Sequence, residues 1–212
     1  MKKVTRFFAI AAIAFGMTMM FACGGNDPDN PDNPGGGGNG GGNTENLPTT
    51  LDETFANGIP STWTNIDADG DGYAWNATVE SQGLADADGN GAVYSQSYDN
   101  NIGPLTPDNY LVTPKLYIED GAKVSWQVGA QDSGYPEEHY AVLVGTIENG
   151  AFVSKGTLFE ETFSGTAKAP TSFYNREISL SQYKGQSLCI AFRHYNCTDM
   201  YFLNIDNVKV TK

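Results

Sequence analysis

The chain has 212 residues, with 12 Lys plus Arg against 25 Asp plus Glu and a formal net charge of -13. That sign excludes a phosphate-steered nucleic-acid binder, which needs a basic face. Aromatics at 12 % and 25 glycines suit an all-β extracellular domain, and three Cys with two His are too few for a disulfide scaffold or a Cys/His zinc site.

The chain opens with Lys2, Lys3 and Arg6, followed by an apolar run from Phe7 to Phe21 and then Ala22-Cys23. This is the basic, apolar and small-residue order of an export signal. The run is shorter than the roughly 20 apolar residues of a membrane span. Residues 1–22 therefore read as a lipoprotein signal peptide, with Cys23 the lipidated residue; a plain secretory signal with an incidental Cys is the alternative. Removing residues 1–22 leaves nine basic against 25 acidic residues, a net charge of -16. Such a surface repels anionic headgroups, so attachment must come from acyl chains. Residues 23–46, rich in Gly, Asn and Pro, form a tether of roughly 26 Å r.m.s. length. The acidic stretch after Cys23 resembles an export signal for the outer leaflet. The expected location is the outer membrane, facing the cell surface.

Residues 47–212 read as strands. Alternation is clear at Val124, Trp126, Val128 and Ala130, at Tyr140, Val142 and Val144, and at Leu188, Ile190 and Phe192. Shorter candidates are 73–79, 92–98, 110–118, 152–163 and 173–180. Asn57-Gly58, Asp69-Gly70, Asp120-Gly121, Asn149-Gly150 and Lys184-Gly185 mark turns. The spacing predicts an all-β, two-sheet sandwich or jelly roll. In the last strand Leu203 and Ile205 share a face while Val208 and Val210 have the opposite parity. One extra residue at Asp206-Asn207, a β-bulge, would bring all four into the core; otherwise Val208 and Val210 lie outside.

Asp67, Asp69 and Asp71 stand in a D-x-D-x-D-G run. Alternate carboxylates around a turn glycine can wrap Ca²⁺, and three such charges repel one another without a cation. The twelfth position from Asp67 is Thr78, so this is not an EF-hand. The loop is either a calcium site completed from elsewhere in the fold or a solvated turn. Asp86-Ala-Asp88-Gly-Asn90-Gly91 repeats the pattern with one charge fewer and reads better as a hairpin turn.

Several blocks in order carry a resemblance: Thr64–Gly72, Tyr98–Ile102, Leu105–Pro114, Val128–Asp132, Glu138–Val142, Ala191–Asp199 and Leu203–Val208. From about Leu51 onward the chain resembles the cleaved-adhesin domains, also called choice-of-anchor J, the haemagglutinin/adhesin repeats of the gingipain proteases. The resemblance implies a jelly-roll β-sandwich of two antiparallel sheets, structural Ca²⁺, and binding of a host protein or glycan rather than catalysis. It also implies a second metal site where the first and last strands meet, with Glu53 and Asp206 as ligands. Asn207 stands where the family's closing motif usually has Asp. Asp132 is a further candidate ligand or a turn former.

Glu138, His139, Arg193 and His194 could suggest an enzyme. No nucleophile motif accompanies them, and parity puts His194 on the apolar face with Phe192, so they are expected to brace a sheet end. A hairpin turning near Cys197 would set Cys189 opposite a residue near 205, too far from Cys197 for a disulfide; both are expected as free thiols. Tyr98, Tyr135, Tyr174, Tyr183 and Tyr195 fall near loops and none stands out as a binding site. The expected function is a lipid-anchored, calcium-stabilised adhesin-like domain, with a carbohydrate-binding module as the alternative.

Overall fold

The computed structural model describes residues 46–77, 89–163 and 173–212. The signal peptide, Cys23, nearly all of the tether, and Asp86 and Asp88 lie outside these residues.

The described strands, in chain order, are β1 (Leu51–Glu53), β2 (Thr64–Asp67), β3 (Asn76–Ala77), β4 (Val93–Gln96), β5 (Tyr98–Asp99), β6 (Gly103–Pro104), β7 (Asp108–Val112) and β8 (Leu116–Tyr117). They continue with β9 (Lys123–Ala130), β10 (His139–Glu148), β11 (Ala151–Thr162), β12 (Tyr174–Ser179), β13 (Ser187–Tyr195) and β14 (Phe202–Thr211). One sheet runs β12-β9-β14-β4-β3, with β1 on the far part of β14; the other runs β11-β10-β13-β7-β2, with β8 on β13. All pairings in both are antiparallel. The β-sandwich expectation holds.

Alternation explains why these segments pair face to face. On β9, Val124, Trp126 and Val128 are buried while Lys123 is exposed and Ser125 and Gln127 are half-buried. On the opposing sheet Tyr140, Val142, Val144, Ile190 and Phe192 are buried and join the same core. Trp126 meets Phe192 across the gap, edge to face, with centroids 5.8 Å apart. Its indole N–H donates to the Tyr140 hydroxyl at 3.2 Å, and that hydroxyl donates to Glu161 at 2.6 Å. A polar tip buried this way keeps its hydrogen bond while the ring supplies apolar area. Ala141, Leu143, Val112 and Ala191 form a smaller cluster covered by Tyr110 and Phe152, so β10 is buried on both faces along much of its length.

The bulge in β14 is real. Its register to β9 shifts between Asp206 and Lys209, and Val208 and Val210 are buried beside Leu203 and Ile205. Asn207 sits at φ 49°, a left-handed conformation that Asn tolerates better than most residues. That is a local reason for Asn at this position. Gly145 has a comparable backbone reason: a Cβ there would collide with the Val153 carbonyl oxygen at a register shift of β10.

Cys189 and Cys197 are free thiols, as expected, but the expected geometry was wrong. β13 and β14 belong to opposite sheets, so the chain crosses the sandwich between them instead of making a hairpin. Cys189 pairs with Gly145, not with a residue near 205.

Candidate functional site

The acidic loop leaves β2 at Asp67, where β2 pairs with β7 opposite Asn109. Asn65 closes its far end: its amide donates to the Trp75 carbonyl at 2.6 Å and accepts the Trp75 N–H at 3.2 Å. Within the loop, Asp67 accepts the N–H groups of Gly70 at 2.7 Å and Gly72 at 2.8 Å. Asp71 accepts the Tyr73 N–H at 2.8 Å. Gly70 and Gly72 take φ of 75° and 90°, conformations glycine adopts without a Cβ penalty. One carboxylate oxygen from each of Asp67, Asp69 and Asp71 lies within 4.8 Å of the others.

The electrostatics follow from this crowding. Burial is the largest single influence and raises the Asp67 carboxyl, but the hydrogen bonds from the Gly72 and Gly70 N–H groups, the Asp69 side chain and the Asp71 N–H together outweigh it and hold the group below its ordinary range. Asp69 is pushed up, first by burial, then by its hydrogen bond with Asp67 and the charge of Asp71. The three expected ligands are thus brought together at one point. Three carboxylates converging on one point form a donor set that fits a hard, oxygen-seeking cation.

Glu53 and Asp206 are brought near by strand pairing. β1 sets Glu53 opposite Val208, two residues past Asp206. Asp206 is fully buried and accepts the Asn207 N–H at 2.6 Å and its amide at 3.1 Å. Glu53 accepts the Phe55 N–H at 2.8 Å. A carboxylate buried this completely needs hydrogen bonds or a cation. Asp132 is remote from both sets in its hydrogen bonding: it accepts the Gly134 N–H at 2.7 Å in a turn and lines a groove with Tyr98, Tyr135 and Asp199.

A buried polar network links the two sheets. His194 and Glu138 are both fully buried. His194 Nε2 lies 2.9 Å from Glu138 Oε2 and 3.1 Å from Cys197 Sγ. His194 Nδ1 lies 2.8 Å from Ser95 Oγ, and Asn109 donates to that Ser95 hydroxyl at 3.0 Å and to the Tyr73 carbonyl at 2.8 Å. The other Glu138 oxygen accepts from Ser97 Oγ and from the Tyr201 N–H, each at 3.0 Å.

This trio is not a nucleophile–base–acid relay. Such a relay needs the nucleophile on one imidazole nitrogen and the acid on the other. Here thiol and carboxylate share Nε2. Burial, then the Glu138 charge, push the Cys197 thiol far above its ordinary range, the opposite of an activated nucleophile.

His139 and Arg193 brace the same end, as expected. His139 bonds Thr162 at 2.7 Å and Glu160 at 3.1 Å. Arg193 pairs with both oxygens of Asp108 at 2.7 and 2.9 Å and lies over the Tyr195 ring at 4.0 Å.

A groove of about 650 Å³ opens beside the acidic loop. Tyr73, Trp75, Tyr94, Tyr201 and Phe202 contribute to its walls, with Asn76, Gln96 and Asp99 among its polar groups. Among the described residues no Lys or Arg lines it. Tyr201 stacks on Phe202 at 4.0 Å and 12°, and Phe202 packs on Tyr94 at 4.8 Å. Tyr201 has φ 155°, a conformation an L residue rarely adopts without support. Asn100 and Tyr201 also line the neighbouring groove that holds Tyr98 and Tyr135.

Sequence reasoning missed this groove: the five loop tyrosines it named, without selecting a site among them, do not include Tyr73, Tyr94 or Tyr201. A usable signal existed in Val93-Tyr94-Ser95-Gln96-Ser97. Ser95 and Ser97 share the parity of buried Val93 and are themselves fully buried, which marks a polar cluster inside and leaves Tyr94 and Gln96 for the other side.

Comparison with known proteins agrees with this architecture. The family described as the Cleaved Adhesin Domain matches residues 48–210. Lys-gingipain of Porphyromonas gingivalis is 41 % identical over 169 residues, which cover 76 % of this chain and 10 % of the relative. Hemagglutinin A of the same organism is 40 % identical over 172 residues, covering 76 % and 8 %. The chain thus spans about a tenth of the length of the curated relatives it matches. A crystal structure of a cleaved adhesin domain of Lys-gingipain is similar over 77 % of this chain and 98 % of that one, at 39 % identity and a TM-score of 0.67. The chain belongs to the cleaved adhesin domain family.

Proposed function

We propose that the protein is a lipid-anchored, surface-displayed adhesin-like domain whose loops are stiffened by Ca²⁺ and whose aromatic groove holds a glycan on a host protein or glycoprotein. Cys23 would carry the lipid in the outer membrane. Asp67, Asp69 and Asp71 would hold one ion, with Glu53 and Asp206 contributing to a second; Asp132 remains a candidate ligand outside both clusters. The domain acts by binding, not by catalysis.

The observation that carries the reading is the groove beside the acidic loop. Stacked Tyr and Phe rings present flat apolar faces, and Asn and Gln present donors and acceptors to hydroxyls. With one carboxylate and no cation in its lining among the described residues, the groove favours a neutral sugar over a sialylated or uronic one. Asn109 ties the loop to the interior by holding the Tyr73 carbonyl, so an ion that orders the loop also steadies a groove wall.

The purified protein is screened against arrayed neutral and acidic glycans and immobilised matrix proteins, in Ca²⁺ and in EDTA. Calcium-dependent retention on neutral glycans or glycoproteins supports the reading. Retention on soluble plant or microbial polysaccharides alone supports a carbohydrate-binding module for polysaccharide capture. Binding to deglycosylated protein that is unaffected by groove substitutions overturns the groove assignment.

A further inference from the structure

We infer that Glu138, His194 and Cys197 form a second kind of metal site, for a thiophilic divalent ion of the Zn²⁺ class. It is separate from the acidic loop and from the Glu53–Asp206 region, and it does not rest on the binding role proposed above.

Geometry is the first argument. Glu138 Oε2, His194 Nε2 and Cys197 Sγ make a triangle with edges of 2.9, 3.1 and 3.3 Å. A tetrahedron with metal–ligand distances of about 2.0–2.3 Å has edges of about 3.3–3.8 Å. The triangle is therefore one face of such a tetrahedron, closed by a few tenths of an ångström. Small side-chain rotations open it.

The remote atoms of two ligands are already held. Ser95, itself held by Asn109, engages His194 Nδ1 and leaves Nε2 facing the trio. Ser97 and the Tyr201 N–H engage Glu138 Oε1 and leave Oε2 for the same point. Hydrogen-bond support of this kind fixes ligand orientation and is characteristic of protein metal sites.

Charge is the third argument. A divalent cation with one carboxylate, one thiolate and a neutral imidazole is electrically neutral, and only a neutral set is tolerated where two ligands have no solvent exposure. On binding, the thiol gives its proton to solvent and a metal–sulfur bond replaces the S–H bond; no oxidant or reductant is needed. Mixed nitrogen, sulfur and oxygen donors favour Zn²⁺ or Co²⁺ over Ca²⁺. Cys197, the member that is not fully buried, also lines a surface pocket of about 500 Å³ with Arg193 and Tyr195, which gives an ion a way in. The shortage of Cys and His excludes a site made of those residues alone; the carboxylate completes the set.

The test uses Co²⁺ and Zn²⁺ on the full chain. In a Cys23→Ser, Cys189→Ala chain, Cys197 is the one thiol left. Co²⁺ is expected to give a near-ultraviolet thiolate band and intense visible bands, saturating at one ion per chain. Zn²⁺ should bleach both and excess Ca²⁺ should not. His194→Gln in that background should weaken Co²⁺ binding at least tenfold. Zinc X-ray absorption on the wild-type chain should show one sulfur in the first coordination sphere beside nitrogen or oxygen. Absence of a thiolate band, or a zinc sphere of oxygen and nitrogen without sulfur, overturns the site.

Discussion

The backbone N–H of Tyr201 donates to the buried carboxylate of Glu138 at 3.0 Å. A residue in the groove wall, held at φ 155°, is thus pinned by a side chain that never reaches solvent. Ser97, His194 and Cys197 bond the same carboxylate. Strained backbone persists only where its surroundings over-determine it, and Glu138 does so here together with Ser97, which also bonds the Tyr201 N–H and carbonyl.

Glu138→Gln should therefore cost on the order of 2–3 kcal/mol in urea unfolding, since it leaves buried hydrogen-bonding groups mispaired. The amide keeps one carbonyl oxygen for Ser97 and Tyr201 but turns N–H groups toward His194 and Cys197. Loss of groove binding should accompany the loss of stability. An unfolding midpoint equal to that of the parent chain would mean that the network does not brace the fold.

Calcium should raise the melting temperature. At 100 times Kd an ion stabilises the folded state by about 2.7 kcal/mol. For a domain of this size that corresponds to a rise of roughly 5–10 °C. Asp67→Asn combined with Asp71→Asn should remove the loop's share, because two of its three clustered charges disappear. Identical melting curves in millimolar Ca²⁺ and in EDTA would sink the structural-calcium claim.

The tyrosine at the end of β13 gives a pH prediction. Burial, then its hydrogen bond to Glu160, push the Tyr195 hydroxyl up to about 12. Its unfolded value is near 10. A raised acid pKa means that the folded state binds the proton more tightly. The contribution to stability is full below about pH 10 and is lost as pH rises from 10 through 12. Tyr195→Phe has no proton to lose, so its unfolding free energy should fall less steeply across that window. Parallel curves for the two chains would contradict the assignment.

Period-2 patterning made the sandwich legible because burial between two sheets requires it: Val124, Trp126 and Val128 could face only one way. Opposed parity in Leu203/Ile205 and Val208/Val210 likewise demanded the bulge at Asp206-Asn207. The acidic loop was legible because its three ligands are local in sequence. The Glu138 network was not. Its members come from β4 and the residue after it, β7, the residue before β10, β13 and the segment between β13 and β14, and strand order alone decides that they meet. The same held for the groove, where Tyr94 and Phe202 are more than a hundred residues apart and touch only because β4 pairs with β14. The hairpin error at Cys189 had this origin too: adjacency in sequence was read as adjacency in one sheet.

Tyr201→Gly should separate folding from binding. Glycine occupies φ near 155° without the Cβ penalty, which offsets part of the loss of the stacked Tyr201 ring on Phe202. The backbone N–H to Glu138 survives the substitution. Stability should therefore stay within about 1 kcal/mol of the parent chain. Binding should weaken, because a ring that lines both neighbouring grooves is gone. An aromatic stacking contact contributes about 0.5–1.5 kcal/mol, so retention on a neutral-glycan column should weaken by roughly tenfold, the factor that 1.4 kcal/mol represents. Tyr201→Phe keeps the ring and should bind nearly as well, losing only the hydroxyl that accepts from Asn100 at 3.4 Å. Equal retention of all three chains would place the recognition surface elsewhere on the domain.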